Sequence, residues 1–281
     1  MTLDTQAIDR REAFLHELLH SAGALARQGF ARQAGQPIGM KGPQDYLTET
    51  DGLVEAHIRA RINETFPEDG FLGEETGCQP GATAWVVDPI DGTANFARSI
   101  PHFCISIAFL ANDRVQLGAI ANPVLSELHS ARLGRGAWRN GQPIRVSQTA
   151  EIAATSFEMG WSNRRPTPDY LAAVKALIEA GSNVRRGACG ALGLAYVADG
   201  RSEGYAELHM NAWDCLAGLL LVREAGGVTG PFLSLGGLLH GAPVLAANPH
   251  VAGLLSRATG IALLEGPDLL PHGDGRMLRT A

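Results

Sequence analysis

The sequence predicts a mixed α/β (α+β) fold, and three observations carry that expectation. Two helical patterns come first, the earlier one amphipathic. A run of strand-like segments joined by Asn and Gly turns then fills the rest of the first half. The second half changes rhythm and alternates apolar helices with short strands.

In chain order, residues 6–32 read as an amphipathic helix, with Ile8, Leu15, Leu18, Leu19, Ala22 and Leu25 near helical spacing. Residues 33–44 contain Gly and Pro and read as a loop. Thr48-Glu49-Thr50-Asp51 supplies cap residues for a second helix over about 51–65, whose apolar positions include Leu53, Ala56, Ile58 and Ile62. Ala84-Trp85-Val86-Val87 reads as a buried strand. Pro89 restricts the residue before it to extended conformations, so the strand is expected to end at Asp88. Residues 103–110, 115–121 and 127–133 read as further strands, with a turn at Ala111-Asn112-Asp113. Asn140-Gly141 is a hairpin turn between Ala137-Trp138 and residues 144–146.

The polar stretch Ser147-Gln148-Thr149 marks a boundary, which divides the chain into two expected domains, 1–150 and 151–281. Beyond it, strands are expected at 154–159, 183–186, 204–208 and 244–247. Helices are expected at 167–180, 191–198, 212–225 and 249–258. The tail from Leu263 onward is expected to be weakly ordered.

The chain has 281 residues, enough for a substantial core. A net charge of -6 offers no basic excess to neutralise phosphate backbones, so no nucleic-acid partner is expected. No apolar run is long enough to span a bilayer, and the polar start does not resemble a secretory signal. Cys78, Cys104, Cys189 and Cys215 are scattered and read as reduced thiols of a cytoplasmic protein.

Three short stretches carry the chemistry. Asp88-Pro89-Ile90-Asp91-Gly92-Thr93 could turn two carboxylates toward one point. Gly73-Glu74-Glu75 lies upstream, and Trp213-Asp214-Cys215-Leu216-Ala217-Gly218 opens a downstream helix. Converging carboxylates repel one another unless protons or cations compensate, and a hard divalent cation is the natural compensation. No His pair stands at zinc-ligand spacing, and the lone His209 near Asp214 reads as structural.

Taken together, these stretches resemble the inositol monophosphatase family of metal-dependent sugar-phosphate phosphatases. The resemblance spans about Lys41 to Asn248. It implies a five-layer αβαβα sandwich, the sugar phosphatase fold, with a site between the halves. It further implies two or three Mg²⁺ ions, lithium sensitivity, a homodimer and a small-molecule phosphate monoester as substrate.

By position, Glu74, Asp88 and the Ile90 carbonyl would hold a first metal. Asp88, Asp91 and Asp214 would hold a second, and Glu74 would also border a third. Thr93 and Asp51 align with the pair that orients the attacking water. Gly92 and Thr93 would offer backbone N–H groups to the phosphate. Glu207 would contact substrate hydroxyls, with Cys189 and Asp214 also lining the substrate. Cys189 stands where the family often has Ser or Thr, which relaxes strict inositol specificity. The expected activity is inositol-1-phosphate phosphatase (EC 3.1.3.25). The alternatives are the same chemistry on histidinol phosphate, fructose 1,6-bisphosphate or a nucleotide 3′-phosphate, or a regulatory protein that uses the fold as a binding surface.

Overall fold

A computed structural model describes residues 3–33, 39–42, 45–79, 81–112 and 114–269. Helix α1 (Thr5–Gln33) buries Phe14, Leu15, Leu18, Leu19, Ala22 and Ala26 along one stripe. A small hairpin follows, β1 (Gly39–Gly42) with β2 (Asp45–Leu47), inside the stretch expected to be a loop. Residues 34–38 and 43–44 of that stretch lie outside the described residues, as does Asp113 of the expected turn. Helix α2 (Glu49–Thr65) corrects the expected core face. Leu53 is 59% exposed, and the buried stripe is Asp51, Val54, Glu55, Ile58 and Ile62.

Eight strands form the first sheet: β3 (Gly70–Gly73), β4 (Gly77–Gln79), β5 (Ala84–Asp91), β6 (Cys104–Ala111), β7 (Arg114–Asn122), β8 (Glu127–Arg132), β9 (Gly136–Arg139) and β10 (Gln142–Pro143). Their spatial order is β10-β9-β8-β7-β6-β5-β3-β4. From β5 to β10 it is the expected antiparallel meander, while β3 pairs with β5 in parallel. The Asn140-Gly141 turn forms with both residues at positive φ. Its returning strand is Gln142–Pro143 rather than 144–146, because a two-residue turn pairs Gln142 with Arg139 at once. The one-turn helix α3 (Thr93–Ala97) lies between β5 and β6.

The second sheet has the order β12-β11-β13-β15-β14. Its strands are β11 (Ser156–Met159), β12 (Asn183–Arg185), β13 (Gly204–Met210), β14 (Val228–Thr229) and β15 (Ala242–Ala247). Ala154, expected in the first of these, instead closes a 3₁₀ turn. The helices are α4 (Thr167–Glu179), α5 (Gly190–Ala198), α6 (Ala212–Glu224), α7 (Gly237–His240) and α8 (Ala252–Thr259). Pro249 stays outside α8, where Asn248 accepts from the N–H groups of His250 and Val251. The tail is more anchored than expected. The buried Asp268 accepts from Leu233 N and Ser234 N, both at 2.9 Å, while residues 270–281 lie outside the described residues.

Three apolar clusters separate five layers in the order αβαβα. α1 and α2 cover one face of the large sheet through Trp85, Val87, Ile105, Ile107 and Phe109. α5 and α6 fill the space between the sheets. α4 and α8 cover the outer face of the small sheet around Phe157 and Leu255. Residues 191–198 of α5 are all buried, as a helix sandwiched on two sides requires.

Small residues let α6 approach both neighbours. A Cβ on Gly118 of β7 would lie 2.8 Å from the Ala217 carbonyl oxygen, and one on Gly218 would lie 2.5 Å from Leu194 Cβ. Gly118→Ala is therefore expected to cost about 1–3 kcal/mol through overpacking against backbone. Thermal denaturation checks it, and an unchanged midpoint would show that this interface yields freely.

Candidate active site

The site begins with a departure from strand regularity. Side chains alternate across a strand, so Asp88 and Asp91, three residues apart, belong on opposite faces of a regular β5. The β5–β6 register runs Asp88↔Ser106 and then Asp91↔Cys104, which inserts one extra residue into β5. This bulge restores parity and turns both carboxylates toward the middle helical layer. Pro89 sits inside the bulge, where its missing N–H costs no ladder bond. It does not end the strand at Asp88, as its sequence context suggests; pairing resumes at Asp91.

Glu74 arrives from the neighbouring strand. Its N–H bonds the Val87 carbonyl at 3.2 Å, so it stands beside Asp88 just past the end of β3. The turn that follows is held by Glu55 of α2. The fully buried Glu55 carboxylate accepts from Glu75 N at 2.9 Å and from Thr76 N at 2.7 Å. Glu55 escapes the sequence reading, although its spacing of four from Asp51 puts two acids on one helix face.

Asp51 and Asp214 reach the site by the same device. Each is the third residue of its helix in a capping box, with one oxygen turned back onto the cap residue. Asp51 Oδ2 accepts from Thr48 N at 3.0 Å and from the Thr48 hydroxyl. Asp214 Oδ2 accepts from Asn211 N at 3.1 Å. Ser106, opposite Asp88 on β6, clamps the start of α6 by donating to the Trp213 carbonyl at 2.9 Å. The Thr93 hydroxyl faces two acceptors, the Ile90 carbonyl at 2.9 Å and Asp51 Oδ1 at 3.3 Å. Gly92 takes φ 91°, and a Cβ there would meet the His102 carbonyl at 3.0 Å, so glycine is required.

The carboxylates repel one another strongly. Burial and then the charges of Glu74, Asp91 and Asp214 push Asp88 well above the usual carboxylate range. Burial, and next the charge of Asp91, pushes Asp214 up to about 7. Asp91 is also raised by burial, offset by donors that include Ala191 N at 2.6 Å from Oδ2. Burial raises Glu207 to about 8 and Asp51 to about 6. Buried, mutually repelling oxygen donors without competing imidazole fit a hard cation such as Mg²⁺. The set Glu74, Asp88, Asp91, Asp214 and the Ile90 carbonyl could hold one or more.

A cavity of about 530 Å³ opens onto these groups. Glu74, Asp91, Gly92, Thr93, Cys189, Glu207 and Asp214 all line it, whereas Asp51, Asp88 and Ile90 lie behind its wall. The Glu207 carboxylate is oriented by the Tyr205 hydroxyl, which donates at 2.7 Å. The Cys189 thiol points to Asp91 rather than into open space, 3.1 Å from Oδ2. His209 bonds the His240 carbonyl through Nε2 and also lines the cavity. Arg186 lines the cavity beside the Trp161 ring, while Arg185 sits exposed on the edge strand β12. Among the lining groups Glu158 has no motif to announce it, whereas Trp213 opens the third of the stretches read from the sequence. Glu158 Oε2 and Trp213 Nε1 are buried and without hydrogen-bond partners among the described residues.

Known proteins resemble this chain in sequence and fold. Residues 8–259 fit the model of the inositol monophosphatase family. The Nus factor SuhB of Haemophilus influenzae is 36% identical over 235 residues, covering 82% of this chain and 88% of that protein. The inositol-1-monophosphatase of Mesorhizobium japonicum is 34% identical over 256 residues, covering 88% of this chain and 96% of that protein. The crystal structure of the extragenic suppressor protein suhB from Bartonella henselae superposes with a TM-score of 0.82 at 31% identity. It covers 89% of this chain and 98% of that one.

The raised carboxyls predict a pH dependence of stability. A carboxyl with a raised folded-state pKa binds more protons folded than unfolded. Its stabilisation is present below the unfolded value of about 4 and is lost as pH rises through the folded value. With Asp51 at about 6, Asp214 at about 7 and Glu207 at about 8, the metal-free protein should lose thermal stability from about pH 5 to pH 8. Added Mg²⁺ should raise the midpoint more at the upper end. A profile in chelator that is flat or rises with pH would contradict the mutual repulsion.

Proposed function

The chain belongs to the inositol monophosphatase family, and from that premise we propose that it is a Mg²⁺-dependent phosphomonoesterase acting on inositol 1-phosphate or a related polyol or sugar phosphate. The observation that carries this reading is the bulge that brings Asp88 and Asp91 to one face, with Asp91 and Asp214 lining a cavity of about 530 Å³.

In this reading Glu74, Asp88 and the Ile90 carbonyl hold one ion, and Asp88, Asp91 and Asp214 hold a second. Glu74 also borders a weaker third. Mg²⁺, when bound, supplies the positive charge that neutralises the phosphoryl oxygens and favours ionisation of the attacking water. The protein's own groups do the rest. Gly92 and Thr93 direct backbone N–H groups at the phosphate. With the Ile90 carbonyl among the groups that would hold a cation, the Thr93 hydroxyl would donate to Asp51 Oδ1. The Thr93 oxygen would then orient the water, with Asp51 placed to receive its proton through Thr93. Glu207, aimed by Tyr205, accepts from a substrate hydroxyl. Cys189 forms part of the wall and leaves inositol without the hydroxyl partner that Ser or Thr would give.

Inhibition by Li⁺, a homodimeric cytoplasmic state and the division into domains 1–150 and 151–281 belong to the same reading. Among the described residues no helix is long and apolar enough to cross a membrane. A second reading, a regulatory role on the same fold, is favoured by relatives called Nus factors. The two are compatible, since binding at an outer surface leaves the cavity intact.

A phosphate-release panel tests the first reading. Inositol 1-phosphate, histidinol phosphate, fructose 1,6-bisphosphate and a nucleotide 3′-phosphate are offered with Mg²⁺ and with chelator. At least one is expected to be hydrolysed only with Mg²⁺. Full activity in chelator, or none on any substrate, would overturn it.

Thr93→Ala separates water activation from structure. As a water-orienting group, its loss should slow turnover by about 10²–10⁴-fold with Mg²⁺ affinity unchanged. As a helix-terminal hydroxyl only, its loss should cost about 1 kcal/mol with turnover retained. Turnover, metal affinity and thermal midpoint measured on one preparation distinguish the two.

A further inference from the structure

Asp91 has a second set of neighbours that phosphate hydrolysis leaves unused. Cys104 of β6 and Cys189, which precedes α5, place their sulfurs 3.7 Å apart. Asp91 Oδ2 lies 3.1 Å from Cys189 Sγ and 3.9 Å from Cys104 Sγ. Both cysteines are buried free thiols. The three donors form the only compact group of potential soft-metal ligands among the described residues.

The triangle has the dimensions of a metal site. A tetrahedral zinc with Zn–S near 2.3 Å and Zn–O near 2.0–2.2 Å has an S···S edge of about 3.8 Å and S···O edges of about 3.6 Å. The observed S···S separation matches the first, and the two S···O separations bracket the second. Mg²⁺ has little use for sulfur, whereas soft thiolates select thiophilic cations. Cys189 lines the cavity, so an ion could enter by the substrate's route.

We propose that Asp91, Cys104 and Cys189 form a further cation site, selective for thiophilic divalent ions such as Zn²⁺ and Cd²⁺, whose occupation shuts down the neighbouring carboxylate cluster. Each thiol releases its proton to solvent as its metal–sulfur bond forms, and water takes the fourth position. The ion engages Asp91 Oδ2, the oxygen that now accepts from Ala191 N, and draws the carboxylate away from Asp88 and Asp214. Its charge also opposes a second cation beside it. The binding stands on the triangle alone; the inhibition rests on the phosphatase reading.

The test uses the full chain carrying Cys78→Ser, which removes the exposed thiol. Cd²⁺ is titrated in saturating Mg²⁺, following the ultraviolet charge-transfer absorption of Cd–thiolate bonds, with phosphate release measured in parallel. The expected result is one Cd²⁺ per chain, bound despite excess Mg²⁺, with loss of hydrolysis. Cys104→Ser, and separately Cys104→Ala, should weaken Cd²⁺ binding at least about tenfold, since even residues supporting a metal's ligands cost that much. A thermal melt establishes that at least one variant is folded. An absorption that survives both Cys104 variants and disappears in Cys215→Ser would overturn the proposal, as would ready displacement of Cd²⁺ by Mg²⁺. Thiolate absorption lost with Cys104, in a protein that hydrolyses nothing, would uphold the site and remove the phosphatase reading instead.

Discussion

The organising constraint is electrostatic: several carboxylates share a buried seam where each raises the others' proton affinity. Such a cluster costs the fold free energy unless something offsets it. Much of the middle layer serves that end. α5 begins at Asp91, giving it the Ala191 N–H, and α6 begins around Asp214. Both helices point their positive ends at the negative cluster, a placement that stabilises charge within the first turn. The apolar layer between the sheets is thus also the scaffold of the polar site.

The supports are themselves buried polar groups, each with a defined partner. Ser106 ties β6 to the start of α6, Glu55 ties α2 to the turn after β3, and Tyr205 fixes Glu207. Asp51 and Asp214 divide their oxygens, one for the helix cap and one for the site. A cap and a site residue are usually separable parts; here the same carboxylate is both. Local helix stability and site geometry are therefore coupled by construction.

The sequence exposed what depends on residue type and concealed what depends on register. That Asp88, Asp91, Glu74 and Asp214 belong together was legible because the flanking Pro, Gly and Trp make their stretches recognisable, and the structure places these carboxylates near one another. The helix-then-meander order was legible from periodicity. The bulge was not, because Pro89 in a strand context reads as a stop, and only pairing with β6 shows the strand resuming. Glu55 was hidden because Leu53 and Ala56 suggested the wrong face of α2. Glu158 and Asp268 act on partners far away in the chain, across 29 residues to Gly187 N and 35 to Leu233 N, and no local pattern announces such contacts.

The single extra residue in β5 also governs what kinds of genetic change this site can absorb. Most substitutions at Ile90 would leave the number of backbone steps between the two aspartates unaltered. A one-codon deletion there would close the bulge: the two aspartates, then two residues apart, would still share a face of a regular strand, but the Ile90 carbonyl that accepts from the Thr93 hydroxyl would be lost. This stretch should therefore tolerate variation in chemistry far better than variation in length.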